Sequence, residues 1–139
     1  MPIGKAIVRR AGTSISIVAT SIMVHRALEA AEILSTEGID AEVIDLRTLR
    51  PIDRDTIIES VKKTGRLACV YEGVKTLGMG AEISAMIAES EAFDYLDAPI
   101  LRLGGAEAPI PYNPVLEKAA VPQTENIVTR VRDLLTNRI

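Results

Sequence analysis

The sequence predicts a three-layer α/β/α domain built on a mixed, mostly parallel five-stranded sheet. Three observations carry this. Short apolar runs of strand length alternate with longer amphipathic segments along the whole chain. The first such pair closes into a strand–helix–strand unit of about 30 residues, the size of a right-handed parallel crossover. The opening extended segment is tied to the next by only a tight turn. That asks for antiparallel pairing, and so for a mixed sheet.

The elements follow in order. Lys5 to Arg10 reads as extended, and Gly12-Thr13 as a turn. Ser14 to Thr20 begins in alternation and ends apolar, as a strand entering a buried sheet does. Ser21 stands at an N-cap position. Ile22 to Glu37 repeats an apolar face through Val24, Leu28, Ala31 and Leu34, and Gly38 closes it. Asp40 to Leu46 is the next strand. After Arg50-Pro51, Asp53 caps a helix carrying Ile57, Ile58 and Val61. It ends on Lys62-Lys63 with Gly65 beyond, as the helix dipole favours.

Leu67 to Tyr71 is a further buried strand. Gly73 to Gly80 is a glycine-bearing loop, and Ala81 to Ala88 a helix with Ile83, Met86 and Ile87 inward. Pro99 to Leu103 is the last strand. A loop with Pro109 and Pro111 leads to Asn113-Pro114, a cap-then-proline start of a short helix. Thr124 is the expected cap of a final helix with Ile127, Val128, Val131, Leu134 and Leu135 on one stripe.

The 139 residues make a single domain, 1–139, on the usual prior of roughly 100–200 residues. Hydrophobic residues at 47% and charged residues at 25% exclude disorder for the body of the chain. A net charge of -3 argues against a nucleic-acid binder, which would show a basic face. No apolar run approaches the ~20 residues of a membrane span. Met1 to Lys5 has no apolar signal core, so export is not expected. The single cysteine, Cys69, allows no internal disulfide and fits a reducing, cytoplasmic compartment. With one histidine and one cysteine, a zinc site is not expected. Aromatics are only 3%, so stacking surfaces for bases or sugars are scarce.

No catalytic constellation assembles from the residues. The first crossover turn, Ala19 to Met23, lacks glycine, which excludes a glycine-rich dinucleotide turn. Gly78-Met79-Gly80 before a helix offers backbone N–H groups to a phosphate, but its spacing fits no phosphate-loop pattern. His25 reads as a surface or packing residue. Cys69 reads as a small hydrophobe in a strand. A Cys–His pair would require these two to meet. Glu72 lies at the functional rim of the sheet without a partner acid. One charge feature stands out: between Lys75 and Arg102 there is no basic residue, while Glu82, Glu89, Glu91, Asp94 and Asp97 fall there. That is either a solvated face or a negative patch for a basic partner. Pro109 to Tyr112 adds a stiff contact loop.

Several stretches together resemble one family. They are Gly38 to Pro51, Ser60 to Leu67, Pro2 to Ala6, Gly78 to Ile83, Leu96-Asp97-Ala98-Pro99 and Pro109-Ile110-Pro111-Tyr112. They are similar to the carboxyl-terminal domain of the beta subunit of thiamine diphosphate-dependent 2-oxo acid dehydrogenases, the group of the pyruvate, branched-chain 2-oxo acid and acetoin enzymes. The likeness covers essentially the whole chain and implies a transketolase C-terminal domain-like fold.

It also implies that the family's amino-terminal thiamine-pyrimidine domain is not within this chain. Thiamine diphosphate and magnesium would then be held by other parts of the parent enzyme, with no catalytic, cofactor or metal residue here. The chain by itself is expected to be inert. The implied role is to pair with the alpha subunit and a second beta subunit, and to dock the basic peripheral-subunit-binding domain of the dihydrolipoyl acyltransferase. In relatives Asp97 and the terminal carboxylate, here on Ile139, lie in that contact; Asp94 and Glu91 are expected as weaker contributors. A homodimer is expected in isolation, with Ile83, Met86 and Ile87 as candidate apolar surface. Gly104 to Glu107 departs from the family in detail. The residues leave two other readings open: a small-ligand or phosphate-binding module using Gly78-Met79-Gly80, and the carboxyl-terminal domain of a transketolase or deoxyxylulose-phosphate synthase.

Overall fold

The first strand pairs antiparallel, as expected, but across the sheet from its neighbour in sequence. In the computed structural model, which describes residues 2–136, β1 (Ile7–Arg10) lies against β3 (Ala41–Asp45) and not against β2 (Ile15–Ala19). The five strands run in the order β1-β3-β2-β4-β5, with β4 at Leu67–Val74 and β5 at Leu101–Gly105. All pairs except β1–β3 are parallel. The reason is local: β2 is flanked on both sides by parallel partners, so β1 must reach over to the free side of β3. Gly12 makes the crossing possible, because a Cβ there would lie 2.4 Å from the backbone of Ala41 and Glu42.

Among the described residues there are five α-helices, α1 (Ile22–Ser35), α2 (Arg54–Thr64), α3 (Met79–Ala88), α4 (Pro114–Ala120) and α5 (Thr124–Leu135), and all but α4 bury side chains against the sheet. One face buries Ile17, Val43, Val70 and Leu103 under α1 and α5. The other buries Val18, Ile44, Cys69 and Tyr71 under α2, α3 and a short 3-10 helix, Glu91–Tyr95. These are the three layers the sequence predicts.

Cap chemistry follows the sequence in part. Asp53 accepts the Thr56 N–H, and Gly65 closes α2 in the left-handed region at φ 69°. Asn113 accepts the N–H groups of Val115 and Leu116. Ser21 stands at the start of α1 but makes no side-chain cap, because its own backbone is turned to φ 54°. The start of α5 is capped one residue earlier than expected. Gln123 is the cap residue and its N–H donates to Asn126 Oδ1, while the Thr124 hydroxyl donates to Glu29 on α1.

A buried polar seam joins α2 to the sheet. Glu42, 2% exposed, accepts from Ser60 Oγ at 2.6 Å, from Gly12 N–H and from Lys63. Ser60 and Thr64 in turn share hydroxyl bonds with Ser16 on β2. The seam ties three elements together, and every member has a partner, the condition under which buried polar groups are tolerated.

Candidate functional site

The sheet brings the isolated chemical residues no closer to a catalytic site. Cys69 points to the α2/α3 face and is fully buried, and burial pushes its thiol up to about 12. His25 is exposed on α1, which covers the opposite face. The sheet therefore separates the two. Glu72 is half-buried near the end of β4. Among the described residues no three His, Cys, Asp or Glu side chains gather as a metal site would require. No described helix is long and apolar enough to cross a membrane.

The glycine turn serves a packing purpose. Cβ atoms on Gly78 and Gly80 would lie 2.9 and 2.5 Å from the Tyr71 ring, and one on Gly104 would lie 3.1 Å from it. Three glycines thus form a cradle for this aromatic, where a phosphate would otherwise have to approach. The Tyr71 hydroxyl has no hydrogen-bond partner among the described residues, and burial raises its pKa.

The acidic stretch forms a surface. The 3-10 helix and the turn after it carry Glu91, Asp94 and Asp97, all exposed. Beside them lies a hollow of about 580 Å³ lined mainly by apolar groups, with Phe93, Leu96, Pro99 and Ile100 on its wall and Asp94 at its edge. Phe93 is 57% exposed. An apolar hollow with a carboxylate, Asp94, among its lining residues has the composition of an interface core with a polar margin.

The three acids are not equivalent. Lys62 on α2 reaches Glu91 at 3.0 Å and Glu59 at 3.1 Å, and stands 5.8 Å from the centre of the Tyr95 ring. The bonds from Glu91 and Glu59 raise the Lys62 pKa. So the stretch has a counter-charge after all, supplied from α2 rather than from its own sequence. Among the described residues no cation lies within ion-pair distance of Asp94 or Asp97. The Asp97 N–H donates to the Gly65 carbonyl at 2.8 Å, which fixes the turn on the end of α2. Ile139 lies outside the described residues.

A second surface sits at the other end of the strands. Leu77 is 98% and Tyr112 100% exposed, and Ile110, Val115 and Leu116 are more than half exposed. They come from the loops after β4 and β5 and from α4, which buries no residue at all. The Glu107 carboxylate joins those loops by accepting the N–H and hydroxyl of Thr76. This corrects the expectation for self-association. Ile83, Met86 and Ile87 are buried against the sheet and offer no surface. Their helical spacing faces the core, and a cluster of exposed apolar groups lies instead in the proline-rich loop and α4.

Comparison with known proteins gives a consistent answer. The model of the transketolase C-terminal domain family matches residues 4–127. The pyruvate dehydrogenase E1 component subunit beta, mitochondrial, of Dictyostelium discoideum is 56% identical over 132 residues, covering 95% of this chain and 37% of that protein. The corresponding subunit of Rickettsia bellii is 51% identical, covering 95% and 40%. The chain thus spans little more than a third of the curated relatives it matches. Among solved structures, a split-gene transketolase described as an inactive beta4 tetramer superposes with a TM-score of 0.84 at 29% identity, over 98% of this chain and 43% of that one. A transketolase mutant from Pichia stipitis shares the fold, with a TM-score of 0.60 at 19% identity over 95% and 18%. With the α/β/α layers, the strand order and the family match in agreement, the chain belongs to the transketolase C-terminal domain family.

Proposed function

We propose that this chain is the carboxyl-terminal, subunit-pairing and acyltransferase-docking domain of the beta subunit of a 2-oxo acid dehydrogenase complex. The parent reaction is thiamine diphosphate-dependent oxidative decarboxylation of a 2-oxo acid, with acyl transfer to lipoyl groups. The observation that carries the reading is the identity of 56% to a pyruvate dehydrogenase beta subunit over nearly the whole chain. Identity to the split-gene transketolase is 29%, so the transketolase alternative is less favoured. The phosphate-module alternative is less favoured too, since Gly78 and Gly80 are accounted for by close packing against the Tyr71 ring.

Among the described residues no three His, Cys, Asp or Glu side chains gather, and the glycine turn packs closely against the Tyr71 ring. In this reading the cofactor and magnesium belong to the rest of the parent enzyme. This chain contributes surfaces. Asp97 and Asp94 meet the basic peripheral-subunit-binding domain of the acyltransferase, with Glu91 held partly in reserve by Lys62. The Tyr112–Leu116 face meets the alpha subunit or a second beta subunit, and in isolation a second copy of the chain. We place the protein in a reducing compartment, the cytoplasm in a bacterial source; several relatives carry mitochondrial names.

The test is a titration of the matching peripheral-subunit-binding domain at two salt concentrations. Asp97→Asn weakens docking by about tenfold, or about 1.4 kcal/mol. Higher salt weakens the wild type, since exposed charges are screened over about 8–10 Å. Equal affinity for both forms at both salts would leave the acidic stretch a solvated face.

A further inference from the structure

The open edge of β5 carries a feature that the docking and pairing surfaces do not use. β5 is the last strand of the sheet, paired only with β4. Apart from that ladder, no backbone hydrogen bond engages Leu101–Gly105 among the described residues. The outward N–H and C=O groups of this strand are therefore unpaired, the condition of a template for another strand. Two adjoining hollows, about 380 and 180 Å³, run beside it from Pro99 to Ala106. The seven steps from Pro99 to Ala106, at roughly 3.3 Å each, make a track of about 23 Å, which suits an extended chain better than a compact ion.

The track is basic. Lys75, Arg102 and Arg130 line both hollows, and no acidic side chain lines either. None of the three has an ion-pair partner among the described residues. Arg102 is steadied by donating to the Lys75 carbonyl at 3.1 Å. Glu107, the next acid along the chain, accepts the N–H and hydroxyl of Thr76 and lines neither hollow. In a chain of net charge -3 this is a local inversion of sign. Gly104 is half-buried and Gly105 buried, and the Ala120 carbonyl, which accepts the Ala106 N–H, closes the carboxyl end of the track, so the open part of the edge is Pro99 to Gly104.

We propose that the β5 edge receives an extended acidic peptide segment, which adds to the sheet as a sixth strand. The backbone ladder supplies the pairing, and Lys75, Arg102 and Arg130 select for carboxylates at alternate positions. This surface is distinct from the acidic patch and does not depend on the acyltransferase reading.

The experiment titrates the full chain with a labelled eight-residue peptide of glutamate alternating with valine, followed by fluorescence anisotropy and by backbone amide shifts of Arg102 and Gly104. Three controls are the same peptide with lysine for glutamate, the peptide N-methylated at alternate backbone positions, and inorganic phosphate as competitor. Saturable binding is expected, with loss of at least tenfold on N-methylation, on lysine replacement, and in the exposed-site variant Arg102→Gln/Arg130→Gln. Millimolar phosphate is expected to compete weakly. If the N-methylated peptide binds as well as its parent, the strand-addition idea is overturned and only a charged surface remains. Displacement by phosphate at lower concentration than by the peptide overturns it in favour of a small-anion site, and absence of binding overturns it outright.

Discussion

Gly65 and Asp97 occupy one small space: a Cβ on Gly65 would lie 2.5 Å from Asp97 Oδ2, and the Asp97 N–H donates to the Gly65 carbonyl. The end of α2 and the acidic turn are therefore one unit. Gly65 is required twice, for its φ of 69° and for its missing side chain. Gly65→Ala is expected to destabilise the fold by about 1–3 kcal/mol, since a left-handed L-residue alone costs roughly 1–2 kcal/mol. It should also displace Asp97 and weaken docking. Adding Asp97→Ser removes the clash but not the backbone strain, so a double-mutant cycle by denaturant unfolding should show positive coupling.

Asp53 links pH to stability. Burial pushes its carboxyl up, but the Ala6 N–H, the Thr56 hydroxyl and N–H, and Lys5 together hold it below the ordinary aspartate value. The native state thus favours the ionised form. Its contribution is fully present above the unfolded value of about 3.9 and is lost as pH falls through the lower native value. Asp53→Asn keeps an oxygen for the Thr56 N–H but sets an amide NH2 against the Ala6 N–H and the Thr56 hydroxyl, so it is expected to cost about 1–3 kcal/mol at neutral pH and to flatten the acid limb below about pH 4. Urea melts from pH 7 down to pH 3 for both proteins would show it.

The hydroxyl of Ser60 bridges Glu42 and Ser16 inside the core. Ser60→Ala leaves the buried carboxylate with one donor fewer and should cost about 1–3 kcal/mol. Glu42→Leu removes the carboxylate but strands the Gly12 N–H and Lys63, so it should not be neutral. Unfolding midpoints of the two variants rank the effects.

Cys69 is fully buried with its thiol pushed up to about 12 by burial. Alkylation by iodoacetamide at pH 8 should be negligible in the folded chain. Its rate across a urea series should follow the unfolded fraction, because thiolate is available only there.

The elements were legible because their periods are local, whereas the surfaces were assembled by contacts far apart in the chain. The stripe of α5 and the capping of α2 need only neighbours within a turn or two. The partner of β1 needs the whole sheet, although Gly12 held the clue that something passes close by. Ser21 looks like a cap in sequence, but the turn out of β2 sets its φ at 54° and spoils the geometry. The inward positions Ile83, Met86 and Ile87 were readable, and for that reason could not also supply the exposed face. Asp97 was legible as one of five acids in a stretch without basic residues, and the family resemblance singled it out among them. Its seat on Gly65, and the Lys62 that answers Glu91, come from α2 about 30 residues away. Lys75, Arg102 and Arg130 meet only through the fold.

The face at the carboxyl end of the strands gives the last prediction. α4 has seven residues and buries none of them, yet isolated helices shorter than about 12–15 residues are marginal in water. Its ends are held: Asn113 caps the start, Gln123 Nε2 donates to the Lys118 and Val121 carbonyls, and Ala106 N–H donates to Ala120. Its side chains are not. Val115 and Leu116 stand in solvent beside a fully exposed Tyr112. Covering a Leu or Val is worth about 1.5–3 kcal/mol, so a partner that buries these three gains several kcal/mol before its entropic cost. In the isolated chain the available cover is a second copy. Sedimentation velocity at tens of micromolar should show a dimer. Val115→Glu/Leu116→Lys should shift it to monomer without lowering the unfolding midpoint, because neither residue packs within the chain. Persistence of the dimer in that variant would move the pairing face elsewhere, and a wild-type monomer at high concentration would remove α4 as a self-association face.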